Sequence, residues 1–199
     1  MPLGSKLGSE ASLAAHYSVS RSVIREALRS CAALGLTRTE TGRGTFVISH
    51  HPTNELNLGR FSSEDLYEAR PHIEIPAARL AATRRTTADL EQLEQIAGKL
   101  ETEIKAETWV QLDAAFHEAI ARASGNSVFS RVVGEIRDAL ALQSETVNLV
   151  HGRRAPSNIE HRKIIDAIAA ADPEASAQAM TEHLDAVQAS ITAILRSNQ

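Results

Sequence analysis

The long C-terminal stretch, residues 64–199, constrains the fold more than any other part of the sequence. Amphipathic helical patterns follow one another there, and no segment has a convincing strand pattern. The chain is 43% apolar but only 4% aromatic, so its core must be built from leucine, isoleucine, valine and alanine. Such a composition favours packed helices. The sequence therefore predicts a mainly α protein whose larger part, 64–199, is an all-α bundle of about six helices.

Helix-start and helix-stop residues divide this stretch into its predicted helices. The first covers 64–84 and is interrupted or kinked by its two prolines, and the fourth runs over about 127–148. Ser157 and Glu160 stand in capping-box register at the start of the fifth helix. Pro173 opens the sixth, because proline fits the first turn of a helix.

Residues 1–49 predict a separate, smaller domain. "SVSRSVIREALRS", residues 18–30, has the pattern of an amphipathic helix capped by Ser20. A helix capped by Ser9 precedes it across a short link, and "TGRG" between short apolar runs predicts a hairpin after it. Helix, turn, helix and hairpin follow one another as in a winged helix-turn-helix. The polar stretch over 50–63, which carries proline and glycine, predicts a linker between this domain and the bundle.

The polar face of the second helix is mostly basic. Three arginines, each about one helical turn from the next, share it with Ser22: Arg21, Arg25 and Arg29. Residues 1–50 carry six basic and three acidic residues, whereas residues 51–199 carry fifteen and twenty-two. The basic N-terminal part, which we call the head, is thus joined to an acidic remainder. This asymmetry predicts that the head binds a polyanion.

DNA is the polyanion that a winged helix-turn-helix would bind. The arginines of the second helix would pair with guanine in the major groove, while Ser20 and Ser22 would hold phosphates. Arg43 at the hairpin tip would reach a minor groove or a phosphate. The alternative is a solvated charged face, which is the usual meaning of spaced arginines on a helix.

The bundle carries a second set of candidate functional residues. Asp113 and His117 stand four residues apart on one helix face, beside apolar neighbours. His161 and His183 lie on the fifth and sixth predicted helices, in line with residues that face the core. One carboxylate and three imidazoles suit a divalent transition metal such as Zn²⁺ or Ni²⁺, and bundles build such sites from facing helices. Separate core histidines, each satisfied by a hydrogen bond, are the alternative.

Two other classes of protein are alternatives to a DNA-binding one. Two histidines and a carboxylate resemble an iron oxygenase site, and three histidines around zinc resemble a hydrolase site. No general base or oxyanion donor stands out in any motif, so an enzyme is not predicted. A metal or ligand carrier that does not bind DNA is the remaining alternative. One cysteine, no secretory h-region and no apolar run near the ~20 residues that span a bilayer favour a cytoplasmic protein.

The N-terminal residues also carry motifs of a known family. "SE..LA..", "VSR..(V/I)REAL", "L..LGL" and "GRGTFV" stand in one register, and this part resembles the DNA-binding domain of the GntR family of bacterial transcription regulators. The resemblance implies operator contacts from the second helix and the wing tip: Arg21, Arg25, Arg29, Arg43 and Gly44. Members of the family usually carry another helix before this segment, so we expect the native chain to start upstream of Met1.

The bundle resembles the FCD effector domain of the FadR-like branch of that family. The motifs are "DLYEAR..IE..AARLAA", "D..FH..IA.ASGN", "EH..I..AI...D" and "M..HL". The resemblance implies a homodimer on a palindromic operator, a small carboxylate effector, repression, and a divalent metal held by Asp113, His117, His161 and His183. Arg70 stands at a motif position of the family, where it would give the acid a charge-assisted bond or form a salt bridge with Glu74.

Overall fold

The computed structural model describes residues 1–50, 57–58 and 61–196, and most of them are helical. Part of the predicted linker therefore lies outside the described residues, and so do the last three residues of the predicted bundle. The head and the described part of the linker contain two helices and two antiparallel pairs of strands: α1 (Glu10–Tyr17), α2 (Arg21–Ala33), β1 (Thr37–Glu40), β2 (Gly44–Val47), β3 (Asn57–Leu58) and β4 (Phe61–Ser62).

Serine side chains cap both helices of the head. The Ser9 hydroxyl accepts a hydrogen bond from the backbone N–H of Ser12, and the Ser20 hydroxyl accepts one from that of Val23. Each cap satisfies a backbone donor that the first helical turn leaves free. Gly35 follows α2 with a φ of 70°, a left-handed conformation that ends the helix. The predicted helix-turn-helix is thus confirmed.

The wing is the hairpin of β1 and β2, paired from Thr37 opposite Val47 to Glu40 opposite Gly44. An extended segment near the N-terminus adds to it: the backbone N–H of Leu7 donates to Thr45 at 2.8 Å, and that of Val47 donates to Ser5 at 2.9 Å. The sequence did not predict that this segment would pair with β2 of the wing.

The bundle contains seven helices within the described residues, against the six or so expected. They are α3 (Ser63–Arg84), α4 (Thr87–Thr102), α5 (Ala106–Ala123), α6 (Ser127–Glu135), α7 (Arg137–His151), α8 (Arg154–Ala169) and α9 (Pro173–Arg196). The predicted fourth helix accounts for the difference, because it is divided at Ile136 into α6 and α7. α3 continues through both of its prolines. Pro173 opens the last helix as predicted.

Capping follows the expected chemistry at some helix starts and departs from it at one. Capping boxes formed by Ser62 with Asp65 and by Thr86 with Asp89 begin α3 and α4. The capping box predicted at Ser157 is absent, because α8 already begins at Arg154 and Ser157 is buried inside the helix.

The core confirms a bundle built mainly from aliphatic side chains. α5 contacts α3, α4, α6 and α7, while α9 packs along α3 and α8. The few aromatic residues that are fully buried, Trp109 and Phe116, both belong to α5. No helix of the described residues is long and apolar enough to cross a membrane.

The head is docked on the bundle through α2. Ala33 and Leu34, at the end of that helix, share a hydrophobic cluster with Ile136 and Leu140 at the start of α7. The helix that carries the three arginines therefore rests directly on a helix of the bundle.

Candidate functional site

Three buried imidazoles converge in the interior of the bundle. His117 comes from α5, His161 from α8 and His183 from α9, and their exposed fractions are 3%, 1% and 2%. One ring nitrogen from each lies within 4.8 Å of the others. The helical periodicity that placed each histidine on a core-facing stripe thus brings all three to one point.

Asp113 lies one helical turn before His117 and reaches the same point. Its Oδ1 atom is 3.3 Å from Nε2 of His161. Asp113, His117 and His183 also line a cavity of about 20 Å³. A cavity of roughly 10–15 Å³ already holds one water molecule, so this one has room for a single ion or water. The structure therefore brings together all four residues of the predicted metal set.

Carboxylates stand behind two of the imidazoles. Oε2 of Glu74 lies 2.6 Å from Nδ1 of His117, and Nδ1 of His183 is hydrogen-bonded to Oε2 of Glu160 at 2.8 Å. The hydrogen bond to Glu160 leaves Nε2 of His183 for a ligand, whereas Nδ1 of His117 is close to Glu74 without hydrogen-bond geometry. Metal-binding histidines commonly have such carboxylate partners, which fix the tautomer and the ring orientation.

Glu74 and Glu160 were not identified from the sequence as parts of this site. The sequence pattern places Glu160 in a capping box and makes Glu74 a partner of Arg70. Their positions carried a weak signal, since Glu160 directly precedes His161 and Glu74 is one turn from Arg70. Which way each carboxylate points depends on the rotation of packed helices, which the sequence does not specify.

Both ring nitrogens of His161 lack a hydrogen-bond partner among the described residues, and Nδ1 of His117 also lacks one in hydrogen-bond geometry. All three of these atoms are buried. The Oδ1 atom of Asp113, although 3.3 Å from Nε2 of His161, is not in hydrogen-bond geometry. Leaving a buried polar group unsatisfied costs about 1–3 kcal/mol. A metal ion would satisfy one of these nitrogens, so the donor set fits a divalent transition metal.

Burial lowers the pKa of two of these imidazoles, those of His161 and His183, and so favours their neutral form. It is the largest cause that lowers the pKa of His161 far below its ordinary value, and the nearby charges of His183 and His117 add to it. Burial also lowers the pKa of His183, although its hydrogen bond to Glu160 opposes this. A neutral imidazole has the free lone pair that a metal ion requires.

Arg70 is buried beside the same cavity. Its guanidinium donates to Oε1 of Glu74 at 2.5 Å and to Oε1 of Gln143, on α7, at 2.7 Å. The pKa of Glu74, which burial alone would raise, is held well below its usual range chiefly by the charges of Arg70 and His117. The salt bridge considered from the sequence is thus present, and Arg70 still lines the cavity.

The predicted DNA-binding residues lie along α2 and at the wing tip. Arg25 is 46% exposed and forms a two-pronged pair with Glu10 of α1, at 3.0 and 3.2 Å. Arg29 points towards the bundle, 3.9 Å from Glu145 of α7, and Arg43 pairs with Glu40. Arg21 is exposed at the start of α2.

The small residues of this predicted surface have structural roles of their own. The Ser20 hydroxyl caps α2 and lies 2.8 Å from the hydroxyl of Ser22, so both stand at the helix N-terminus. Gly44 has a φ of 118°, and a Cβ atom there would lie 2.5 Å from Cε of Lys6. The Lys6 side chain can move away, so it is the left-handed backbone conformation that favours glycine at this position, independently of any DNA contact.

A winged helix-turn-helix head on a helical bundle is the architecture of a transcription regulator. Comparison with known families gives the same class. Residues 1–47 match the model described as bacterial regulatory proteins of the gntR family, and residues 65–186 match the FCD domain. The chain belongs to the GntR family and carries an FCD domain. GntR-type regulators bind operator DNA, and the proteins matched here are transcription regulators rather than enzymes.

Several relatives match nearly the whole chain, among them two that are at least 30% identical to it. The HTH-type transcriptional regulator LutR of Bacillus subtilis is 30% identical over 98% of this chain and 95% of its own length. An Escherichia coli protein assigned to regulation of the L-lactate dehydrogenase operon is 32% identical, over 92% of this chain and 77% of its own length. Among solved structures, a GntR protein of Streptococcus agalactiae is 32% identical and covers 95% of this chain and 91% of its own, with a TM-score of 0.54.

Proposed function

We propose that this regulator binds a divalent transition metal, Zn²⁺ or Ni²⁺, and responds to a small carboxylic acid that reaches the same site. The observation that carries the proposal is the convergence of three buried imidazoles whose ligand atoms lie within 4.8 Å of one another. The ion would be held by four side chains from three helices: Asp113, His117, His161 and His183. A bound ion would offer an acid a Lewis-acidic partner for its oxygen atoms.

The charges around the cavity favour an acidic ligand. Arg70 lines the cavity. Its guanidinium donates hydrogen bonds to the carboxylate of Glu74 and to the side-chain oxygen of Gln143. A guanidinium so placed can give a carboxylate a charge-assisted hydrogen bond by exchanging partners. The relative assigned to the L-lactate dehydrogenase operon supports a hydroxy acid as the first class to test.

The size of the cavity supplies a mechanism for the response. About 20 Å³ accommodates an ion or a water but not an organic acid, so binding of the acid must move lining side chains. Several of these, including Gln143, Leu140 and Val147, belong to α7, the helix on which α2 of the head rests. Acid binding thereby shifts the population of head positions on the bundle.

The DNA side of the proposal needs two copies of the chain. One recognition helix reads only a few base pairs, so a homodimer on a palindromic operator gives useful affinity. The residues proposed to contact DNA are those of α2 and the wing: Ser20, Arg21, Ser22, Arg25, Arg29, Arg43 and Gly44. An acid that moves the two heads out of register with the half-sites releases the operator, which is the behaviour of a repressor.

Titrating a fluorescent operator, selected from a random duplex library, tests this function. Protein loaded with Zn²⁺ or Ni²⁺ and protein stripped by a chelator are each measured with L-lactate, D-galactonate and succinate. We expect at least one acid to weaken DNA binding of the metal-loaded protein by about 5- to 150-fold, the usual range of allosteric coupling, and to have no effect on the stripped protein. Metal binding without any acid response would overturn the effector part alone, and failure to bind either metal would overturn the site.

Replacing Glu160 with glutamine should weaken metal binding by about 10- to 100-fold, because loss of a carboxylate behind a metal-binding histidine typically costs that much. The reason lies in the 2.8 Å hydrogen bond that holds the His183 ring. The measurement is a competitive titration with a chromophoric chelator. Glu182→Gln, on the exposed face of α9, is the control. Equal metal affinity of the two variants would show that Glu160 does not support the site.

A further inference from the structure

A second cavity lies between the head and the bundle. It has a volume of about 600 Å³ and is lined by α2 and β1 on one side and by α5 and α7 on the other. We call it the interface cleft. Small-molecule sites usually have volumes of about 300–1,000 Å³, so the cleft has the size of one. The cleft and the metal cavity have no lining residue in common. They lie on different faces of α7, because Gln143 lines the metal cavity whereas Leu142 and Glu145 line the cleft.

Glu145 is an unsatisfied acid in the wall of this cleft. Its side chain is only 6% exposed, and its Oε1 atom is buried without a hydrogen-bond partner among the described residues. Its other oxygen, Oε2, lies 3.9 Å from Nη1 of Arg29, which is too long for a hydrogen bond. A buried carboxylate oxygen without a donor is costly, so the site favours any ligand that brings one.

Carboxylates outnumber free cations around this residue. Glu107 and Asp138 also line the cleft, so three carboxylates of the lining stand against two arginines, Arg29 and Arg38. Arg38 shares Glu40 with Arg43. Of these two arginines, Arg29 is the one that approaches Glu145, at 3.9 Å. The imbalance of charge attracts a cation.

The pKa values of two carboxyl groups, those of Glu145 and Glu26, reflect the same excess of negative charge. Burial raises the pKa of Glu145 to about 7, and the charges of Glu26 and Glu107 act in the same direction against Arg29. Burial and Glu107 likewise raise the pKa of Glu26, which the backbone N–H of Glu107 and the charges of Arg29 and Arg154 oppose. A bound cation would let these carboxylates ionise together.

The remaining walls of the cleft are apolar. Val110 of α5, Ala141 and Leu142 of α7, and Ala32 and Ala33 of α2 all line it. A bare metal ion would leave most of this space and these surfaces without contacts. A ligand with a charged head and an aliphatic body would use both the acid and the apolar walls.

We propose that the interface cleft is a second ligand site, which binds a small organic cation, an aliphatic amine or guanidine, with its charged group on Glu145. The aliphatic part of the ligand lies against Val110, Ala141 and Leu142. Because the ligand and Arg29 approach the same carboxylate, ligand binding weakens the attraction between Glu145 and a predicted DNA-contacting arginine. This inference is independent of the metal, the acid and the assignment of the buried histidines.

Isothermal titration calorimetry on the full chain without DNA, at pH 8 and 0.15 M NaCl, tests the site. The probes are n-butylammonium and n-butylguanidinium, with n-butanol and butyrate as neutral and anionic analogues of the same body. We expect one molecule of either cation per chain, and at least tenfold weaker binding of both analogues. Equal binding of all four probes would overturn the proposal. So would the absence of cation binding when the ligand is raised to 10 times the highest protein concentration at which the protein stays monodisperse.

Glu145→Gln is the matched variant for the same titration. Glutamine has nearly the same size and removes a buried charge, so the fold should persist, which circular dichroism and the melting temperature check. We expect the cation affinity to fall at least tenfold, while Glu135→Gln, on an exposed position of α6, leaves it unchanged. Asp138→Asn, on the exposed rim, should weaken binding by a smaller factor and supplies a second measurement. Undiminished affinity in Glu145→Gln would contradict the assignment of the carboxylate.

Discussion

Replacing His161 with leucine is expected to abolish tight metal binding while leaving the metal-free protein at least as stable as the wild type. Both ring nitrogens of His161 are buried without hydrogen-bond partners among the described residues, so the variant loses a ligand but no hydrogen bond. The side chain lies between Trp109 and Phe116, and leucine can fill this apolar position. Elemental analysis and melting temperature with and without metal measure the two effects.

The stabilisation by metal gives this prediction a magnitude. A ligand present at 100 times its dissociation constant stabilises a folded protein by about 2.7 kcal/mol. For a chain of this length that corresponds to a rise in melting temperature of roughly 5–10 °C. We expect the rise in the wild type and in His72→Leu, a change at an exposed histidine of α3, and its absence in His161→Leu.

The same experiment decides between the two interpretations that the sequence left open. A structural core histidine would be hydrogen-bonded, and its replacement by leucine would destabilise the metal-free protein without any effect of added metal. Undiminished metal in the variant would remove His161 from the site. A destabilised metal-free variant would show that the imidazole has a structural role that the hydrogen-bond pattern does not reveal.

The convergence of the metal set was predictable because helices impose a strict periodicity. Asp113 and His117 had to share a face, and the apolar neighbours of His161 and His183 placed both on core-facing stripes. The family resemblance joined these separate stripes into one site. The supporting carboxylates could not be found in this way, because a glutamate side chain is long enough to serve a helix cap, a salt bridge or a histidine from the same position.

The departures in the fold have a similar origin. The division at Ile136 occurs without a proline, and the nearest glycine, Gly134, lies inside α6. The local sequence therefore does not predict that the helix ends there. The docking of Ala33 and Leu34 on the bundle is a tertiary contact between residues about a hundred positions apart. The interface cleft follows from that docking, so neither the cleft nor the burial of Glu145 could be deduced from the pattern of residues.

Replacing Arg25 with alanine is expected to weaken operator binding at least tenfold. Arg25 stands in the middle of the basic face of α2, and its guanidinium can reach guanine or phosphate. In a homodimer the loss occurs in both half-sites, so the effect is larger than that of a single surface charge. Fluorescence anisotropy with the selected operator measures it, and Arg131→Ala, at an exposed position of α6, controls for the change in net charge.

The pair between Arg25 and Glu10 allows contact with DNA to be separated from packing within the head. Both Arg25→Ala and Glu10→Ala break the link between α1 and α2, but only the first removes the guanidinium. If Arg25 contacts DNA, Glu10→Ala should keep or increase the operator affinity, because it frees the arginine and removes a negative charge. If Arg25 acts only by fixing α1 against α2, both variants should lose affinity equally. Unchanged affinity in Arg25→Ala would show that the basic face of α2 does not read the operator through this residue.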